Sequence, residues 1–116
     1  MKRSVTLMLG TLAAGIAMGA VPAPGRLPSP EALAAAKTPA QHEVIAKEYL
    51  AEARVLEKIA VQHRDLAKVY AKPGMMPGSH AEAMHCREIA AELSAAAKVE
   101  RKLASEHEKM ALRAPK

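Results

Sequence analysis

Alanine recurs at every seventh position in two separate stretches of this chain. The two sets are Ala46, Ala53, Ala60 and Ala67, then Ala90, Ala97, Ala104 and Ala111. A strict seven-residue repeat favours left-handed coiled-coil packing of α-helices. Because each repeated side chain is a single methyl group, two such helices can bring their backbones close together. The repeat therefore predicts two long helices packed against each other.

The first of these helices has a clear start and stop in the sequence. Thr38 can cap the helix, Pro39 occupies its first turn, and Gln41 stands three residues after Thr38. This spacing is typical of a capping box, and proline is favoured at the first helical position. Pro73 cannot continue a helix. The sequence predicts a first helix over residues 38–72.

The second helix is expected to begin in the same way. Ser79 can cap it and Glu82 closes a second box, which predicts a helix over residues 79–113. The connection over residues 73–78 is short, so the helices should lie antiparallel. No stretch alternates β-branched and polar residues as a strand would. The expected fold class is all-α, an antiparallel two-helix hairpin of the coiled-coil type.

The composition predicts a thin core that needs a second copy of the chain. There is no Trp and no Phe among the 116 residues, and there are two Tyr. Two helices with alanine seams bury little, so a single hairpin is marginal in stability. We expect a homodimer that forms a four-helix bundle. The formal net charge is +5, with both signs interspersed; without aromatic platforms this argues against nucleic-acid binding.

The first 21 residues read as a signal peptide. Lys2 and Arg3 precede an uncharged apolar run, and small residues follow it. Cleavage is expected within residues 19–34, which leaves no stable membrane anchor and a periplasmic or secreted protein. The alternative is an uncleaved anchor, although the run of about 17 residues is at the short limit for a bilayer span. Residues 22–37 are rich in Pro and Ala and predict a flexible lead-in.

Polar residues interrupt the two apolar seams at matched positions. The first seam is His42, Tyr49, Leu56, His63 and Tyr70, and the second is Cys86, Leu93, Glu100 and His107. An antiparallel hairpin turning near residue 75 places His42 opposite His107, His63 opposite Cys86, and Tyr49 opposite Glu100. Since buried polar groups need partners, this pairing is self-consistent.

The two end layers of the hairpin are candidate metal sites. One combines His63 and Cys86 with His85 beside them, and the other combines His42 with His107. Imidazole and thiolate are common protein ligands of zinc and copper. An antiparallel dimer would give three imidazoles and one thiolate per site. A parallel dimer would give four imidazoles at one end, and two thiolates with two imidazoles at the other. Alternatively, these polar residues only set the register of the helices.

The turn adds a second group of potential ligands. It contains Met75, Met76, His80, Met84, His85 and Cys86. Thioether, thiolate and imidazole together suit copper(I). Alternatively, a Met-rich tip packs against a partner, because Met fills irregular gaps.

The predicted function is periplasmic metal handling, with copper first and zinc second. The Cys86 end is the preferred site, with His63, His85 and Cys86 as core ligands. No enzyme activity is expected, since no nucleophile elbow is present, and haem is disfavoured without a Cys-x-x-Cys-His motif. The alternative is a structural or protein-interaction module without metal.

The spaced histidines on an Ala-rich helical hairpin resemble small exported bacterial helical-bundle proteins of uncharacterised family. The residues that carry the resemblance are His42, His63, His85-Cys86 and His107. It covers about residues 38–113. It implies export and a helical bundle, and it assigns no functional residue.

Overall fold

The computed structural model describes residues 26–116, which form three helices and, within that range, no strand. The helices are α1 (Pro30–Ala35), α2 (Pro39–Tyr70) and α3 (Ser79–Arg113). The long helices α2 and α3 pack against each other, so the all-α prediction is confirmed. The expected signal peptide at residues 1–21 lies outside the described residues. None of the three helices is long and apolar enough to cross a membrane.

The capping box at the start of α2 is present as the sequence predicted. The Gln41 amide donates to Thr38 Oγ1 at 3.2 Å, and the Thr38 amide donates to Gln41 Oε1 at 3.1 Å. The box satisfies two amides that have no partner within the helix. At its other end the helix stops at Tyr70, two residues before the predicted limit.

The predicted capping box at the start of α3 is wrong. The N-cap is Gly78, with φ at 90°, and no side chain caps this helix. The turn enters α3 through a left-handed conformation that glycine adopts at little cost. Ser79 already belongs to the first helical turn, so its hydroxyl is not placed to cap.

The predicted flexible lead-in contains a short helix. Ser29 Oγ accepts a hydrogen bond from the Ala32 amide at 3.0 Å, and Pro30 and Glu31 occupy the first turn of α1. This is a second N-terminal cap followed by proline. Partly buried Ala36, just after α1, packs against a buried cluster that contains Ile45.

Alanine forms most of the core between α2 and α3. The buried alanines are Ala46, Ala53, Ala60 and Ala67 in α2, and Ala83, Ala90, Ala97, Ala104 and Ala111 in α3. The other buried residues of these two helices are Ile45, Tyr49 and Cys86. Ala46 and Ala104 share one buried cluster with Ile45 and Tyr49. Among the described residues, no large side chain is fully buried, so the packing depends on close approach of the backbones.

Contacts between the two helices run in opposite order along the sequence. His42 near the start of α2 contacts His107 near the end of α3. Farther along α2, Glu57 pairs with Arg101 and Arg64 donates to Ser94. The heptad positions place the histidine pair on one side of the alanine seam and the charged pairs on the other. Glu57 also pairs with Arg64, which makes the second side a solvated, charged surface.

A leucine in the alanine seam should force the helices apart. We expect Ala60→Leu to lower the free energy of unfolding by about 1–3 kcal/mol, because the site is fully buried and has no room for a larger side chain. The measurement is urea unfolding followed by circular dichroism. The matched control is Ala95→Leu, at an exposed position of α3, where we expect little change. Equal stability of the two variants would contradict close alanine packing.

Candidate metal centre

At one end of the two long helices, a histidine from each helix contacts the other. His42 Nδ1 and His107 Nδ1 are 3.1 Å apart, and the two ring centroids are 5.3 Å apart. His42 lies in the first turns of α2, behind the Thr38 cap, and His107 lies near the end of α3. One ring can donate to the other only if at least one is a neutral tautomer that leaves its Nδ1 lone pair free.

The ring of Tyr49 packs beside this pair. Its ring centroid is 5.8 Å from that of His107, and it packs in the cluster of Ile45, Ala46 and Ala104. Burial raises the pKa of Tyr49, and the carboxylates of Glu100 and Glu48 raise it further. The phenol therefore stays protonated at neutral pH and presents a hydroxyl rather than a charge.

The electrostatics of the pair favour neutral imidazole. Burial lowers the pKa of His107 from its ordinary value of 6.5, and the neighbouring His42 lowers it further. Two imidazolium rings at this distance would repel each other. Neutral imidazole is the form that binds a metal ion.

Two carboxylates occupy the same side of the seam, one layer away. Burial raises the pKa of Glu100, and the Coulomb repulsion of Glu52 raises it further. The Oε2 atoms of both residues are buried without a hydrogen-bond partner in residues 26–116. Tyr49, which the sequence places opposite Glu100, therefore does not satisfy this carboxylate oxygen.

The residues of the preferred Cys86 end do not assemble into one cluster. Cys86 is buried, while His63 is half-buried and its Nδ1 has no hydrogen-bond partner among the described residues. His85 points to solvent, with Nδ1 3.7 Å from Glu88 Oε2. Successive residues of a helix project about 100° apart, so His85 and Cys86 cannot both face the seam.

The ligand types of the turn lie at the surface. The exposed residues are Met75, Met76, His80, Met84 and His85. Throughout residues 26–116, no three His, Cys, Asp or Glu residues come close enough to hold one metal ion. The two end layers are separated by 21 residues of helix, or about 31 Å. The described residues thus bring two imidazoles together at one end of the helices and form no group of three potential ligands at the other end.

Sequence reasoning missed Glu52. It directly precedes Ala53, just as Ile45 precedes Ala46 and Ile59 precedes Ala60. A carboxylate at a position that large apolar residues otherwise hold in α2 was the available signal. A search for polar residues at apolar heptad positions would have identified Glu52, whereas a search for His, Cys and Met ligands does not.

No protein family, curated protein or solved structure matches this chain.

The histidine pair should make stability depend on pH. The folded state depresses the pKa of His107, so the unfolded chain binds more protons below about pH 6.5. The contribution of His107 to stability is present above that pH and is lost as the pH falls through the folded pKa. We expect the free energy of unfolding to drop between about pH 7 and pH 5.

Urea unfolding at a series of pH values measures this drop. His107→Gln should flatten it, because the variant removes the depressed group. The matched control His80→Gln changes an exposed histidine in the first turn of α3 and should keep the parent's slope. A His107→Gln variant with the full pH dependence would show that other groups are responsible.

Proposed function

We propose that the chain binds a copper or zinc ion through His42 and His107 and serves in metal handling outside the cytoplasm. The observation that supports this most directly is the 3.1 Å separation of the two Nδ1 atoms. Two imidazoles bound to one metal at about 2.0–2.1 Å in tetrahedral geometry hold their nitrogens about 3.3–3.4 Å apart. The pair is already within a few tenths of an ångström of that spacing.

The packing of α2 against α3 holds the two imidazoles close together before any metal binds. Ala46 follows His42 by one turn, Ala104 precedes His107 by one turn, and both are buried in the same cluster. The ligands therefore need little rearrangement, and preorganisation lowers the free-energy cost of binding. The lowered pKa of His107 favours its neutral form. For both Nδ1 atoms to bind one metal ion, the ring that donates in the pair moves its proton from Nδ1 to Nε2 by exchange with water.

We also propose the remaining architecture of the molecule. The helices form an antiparallel hairpin, and two copies pack into a four-helix bundle after removal of the signal peptide. Bundle cores of this kind hold metal ions through side chains of facing helices. Water or the second copy completes the coordination that two imidazoles leave open.

Metal titration of the purified mature chain tests the site. We expect one zinc or copper(I) ion per chain, in competition with a chromogenic chelator under reducing conditions. His42→Ala and His107→Ala should each weaken binding by about a hundredfold, because loss of an outer-shell partner alone costs about 10–100-fold. Affinity should fall below about pH 6 as protons compete for the imidazoles.

The matched control is His85→Ala, which removes an exposed histidine with no role in the pair. It should bind as the parent does. If His85→Ala or Cys86→Ala abolishes binding while His107→Ala does not, the Cys86 end is the site. Absence of any affinity tighter than micromolar would refute metal handling.

The second candidate function is a protein-interaction module. The observation in its favour is the set of half-exposed large apolar side chains along the two helices, such as Leu66 and Met110 at 46% and 41% exposed. An apolar helix face can dock a helix of another protein. A mature chain that stays monomeric and binds no metal would favour this function.

A further inference from the structure

Large apolar side chains cluster on the side of the seam that carries His42 and His107. These residues directly precede the seam alanines: Ile59, Leu66, Ile89, Leu103 and Met110. We call this side the histidine face. Leu66, Ile89 and Leu103 are 46%, 39% and 38% exposed, although the equivalent Ile45 is buried against its cluster. Most of these large side chains are therefore exposed.

Every buried polar side-chain atom without a hydrogen-bond partner in residues 26–116 belongs to this same face. These atoms are Glu52 Oε2, His63 Nδ1 and Glu100 Oε2. Glu52 directly precedes Ala53, whereas His63 and Glu100 stand three residues after Ala60 and Ala97. Each has lost hydration without gaining a partner, which is unfavourable. Two are carboxylates and one is an imidazole, so the set is complementary to itself.

We propose that a second copy of this chain covers the histidine face in antiparallel orientation, with Leu56 of both copies at the two-fold axis, so that Glu52 pairs with His63 of the second copy. This inference rests on the proposal above that two copies form a bundle. In this arrangement α2 lies on α2. The residue four before Leu56 is then level with the residue four after it, which places Glu52 beside Ala60 of the second copy.

The neighbour of that position supplies a partner when Glu52 and His63, both only partly buried, turn their free atoms outward from the cover of their own chain. His63 stands one helical turn beyond Ala60, about 4.5 Å along the axis, within reach of a glutamate side chain. By symmetry, His63 of the first copy meets Glu52 of the second. On the other helix pair, Leu93 lies at the axis and Glu100 comes level with Cys86 of the second copy, whose thiol is a weak donor. Both copies overlap over their full length.

In two other symmetric arrangements Glu52 meets a carboxylate instead of an imidazole. In a parallel dimer, α2 lies on α3, and Glu52 comes level with Ala97 of the second copy, one turn from Glu100. A different antiparallel register brings the layer of His42 and His107 level with Cys86 of the second copy. Its two-fold axis passes beside Glu52, so the Glu52 carboxylates of the two copies meet. Two carboxylates in an apolar interface repel each other, whereas carboxylate and imidazole attract.

Cysteine cross-linking of the mature chain tests the orientation. All variants carry Cys86→Ala, and a chelator is present so that metal plays no part. Leu56→Cys should form a disulfide-linked dimer on mild oxidation, because the two introduced thiols meet at the axis. The matched control is Lys58→Cys, two residues away and exposed, which should stay monomeric on a denaturing gel. In a parallel dimer, Leu56→Cys alone fails to cross-link but does so when mixed with Leu93→Cys, and this result would overturn the proposal.

Sedimentation measures whether the mature chain forms a dimer at all, which the inference requires. A dimer at micromolar concentration is expected, and a monomer would remove both the bundle and its orientation. Glu52→Gln and His63→Gln should each weaken the dimer about tenfold, with the double variant little weaker than either single one. Fully additive effects would show that the two side chains do not pair. The metal titration of His42 and His107 variants is read independently of these outcomes.

Discussion

Close approach of two helix backbones along an alanine seam is the constraint on which the rest of this structure depends. With only methyl groups between the helices, the side chains that flank the seam are brought into contact across it. On one side, this produces the imidazole pair of His42 and His107. On the other side, it produces the ion pair of Glu57 with Arg101, to which Arg64 of the same helix as Glu57 adds a second ion pair. These exposed ion pairs contribute little stability each, so the seam itself holds the helices together.

The same constraint explains why polar atoms are stranded. A seam of methyl groups leaves the larger apolar residues beside it rather than within it, and they cover only part of the surface that they border. One side-chain atom each of Glu52, His63 and Glu100 lies deep enough to lose water, yet no side chain within residues 26–116 reaches it. The pKa of Glu100 is raised because its carboxyl group is partly buried and lies near Glu52. A thin two-helix core thus creates polar groups that need a partner from elsewhere.

Much of the fold could be predicted because a seven-residue repeat is a long-range signal carried by many residues. The repeat predicted the packing of α2 against α3 and the meeting of His42 with His107. Features decided by one turn could not be predicted in the same way. Ser79 and Gly78 are both acceptable N-caps, and the left-handed conformation of the turn, rather than a local preference, selects Gly78.

The candidate site shows a different limit of sequence reasoning. The many potential ligands near Cys86 in the sequence favoured that end. Closeness in sequence, however, does not show on which face of a helix each side chain lies. His85 and Cys86 are adjacent in sequence and therefore face apart, and the methionines of the turn stay exposed. The sparse end, with one histidine from each helix, is the one that brings two ligand atoms together. Glu52 escaped notice for the same reason, since only its place in the heptad marks it.

The proposed site and the proposed dimer together determine what kind of metal centre this would be. With Leu56 at the two-fold axis, the layer of His42 and His107 lies level with Tyr70 and Ser79 of the second copy. Neutral hydroxyls are weak ligands beside imidazole and thiolate, so this layer would leave the metal with positions open to water or to another donor. Structural zinc sites are closed by four protein ligands, whereas sites that exchange or react keep an open position. A two-histidine centre at the end of a bundle therefore fits a protein that takes up and passes on a metal ion better than one that needs the metal to fold.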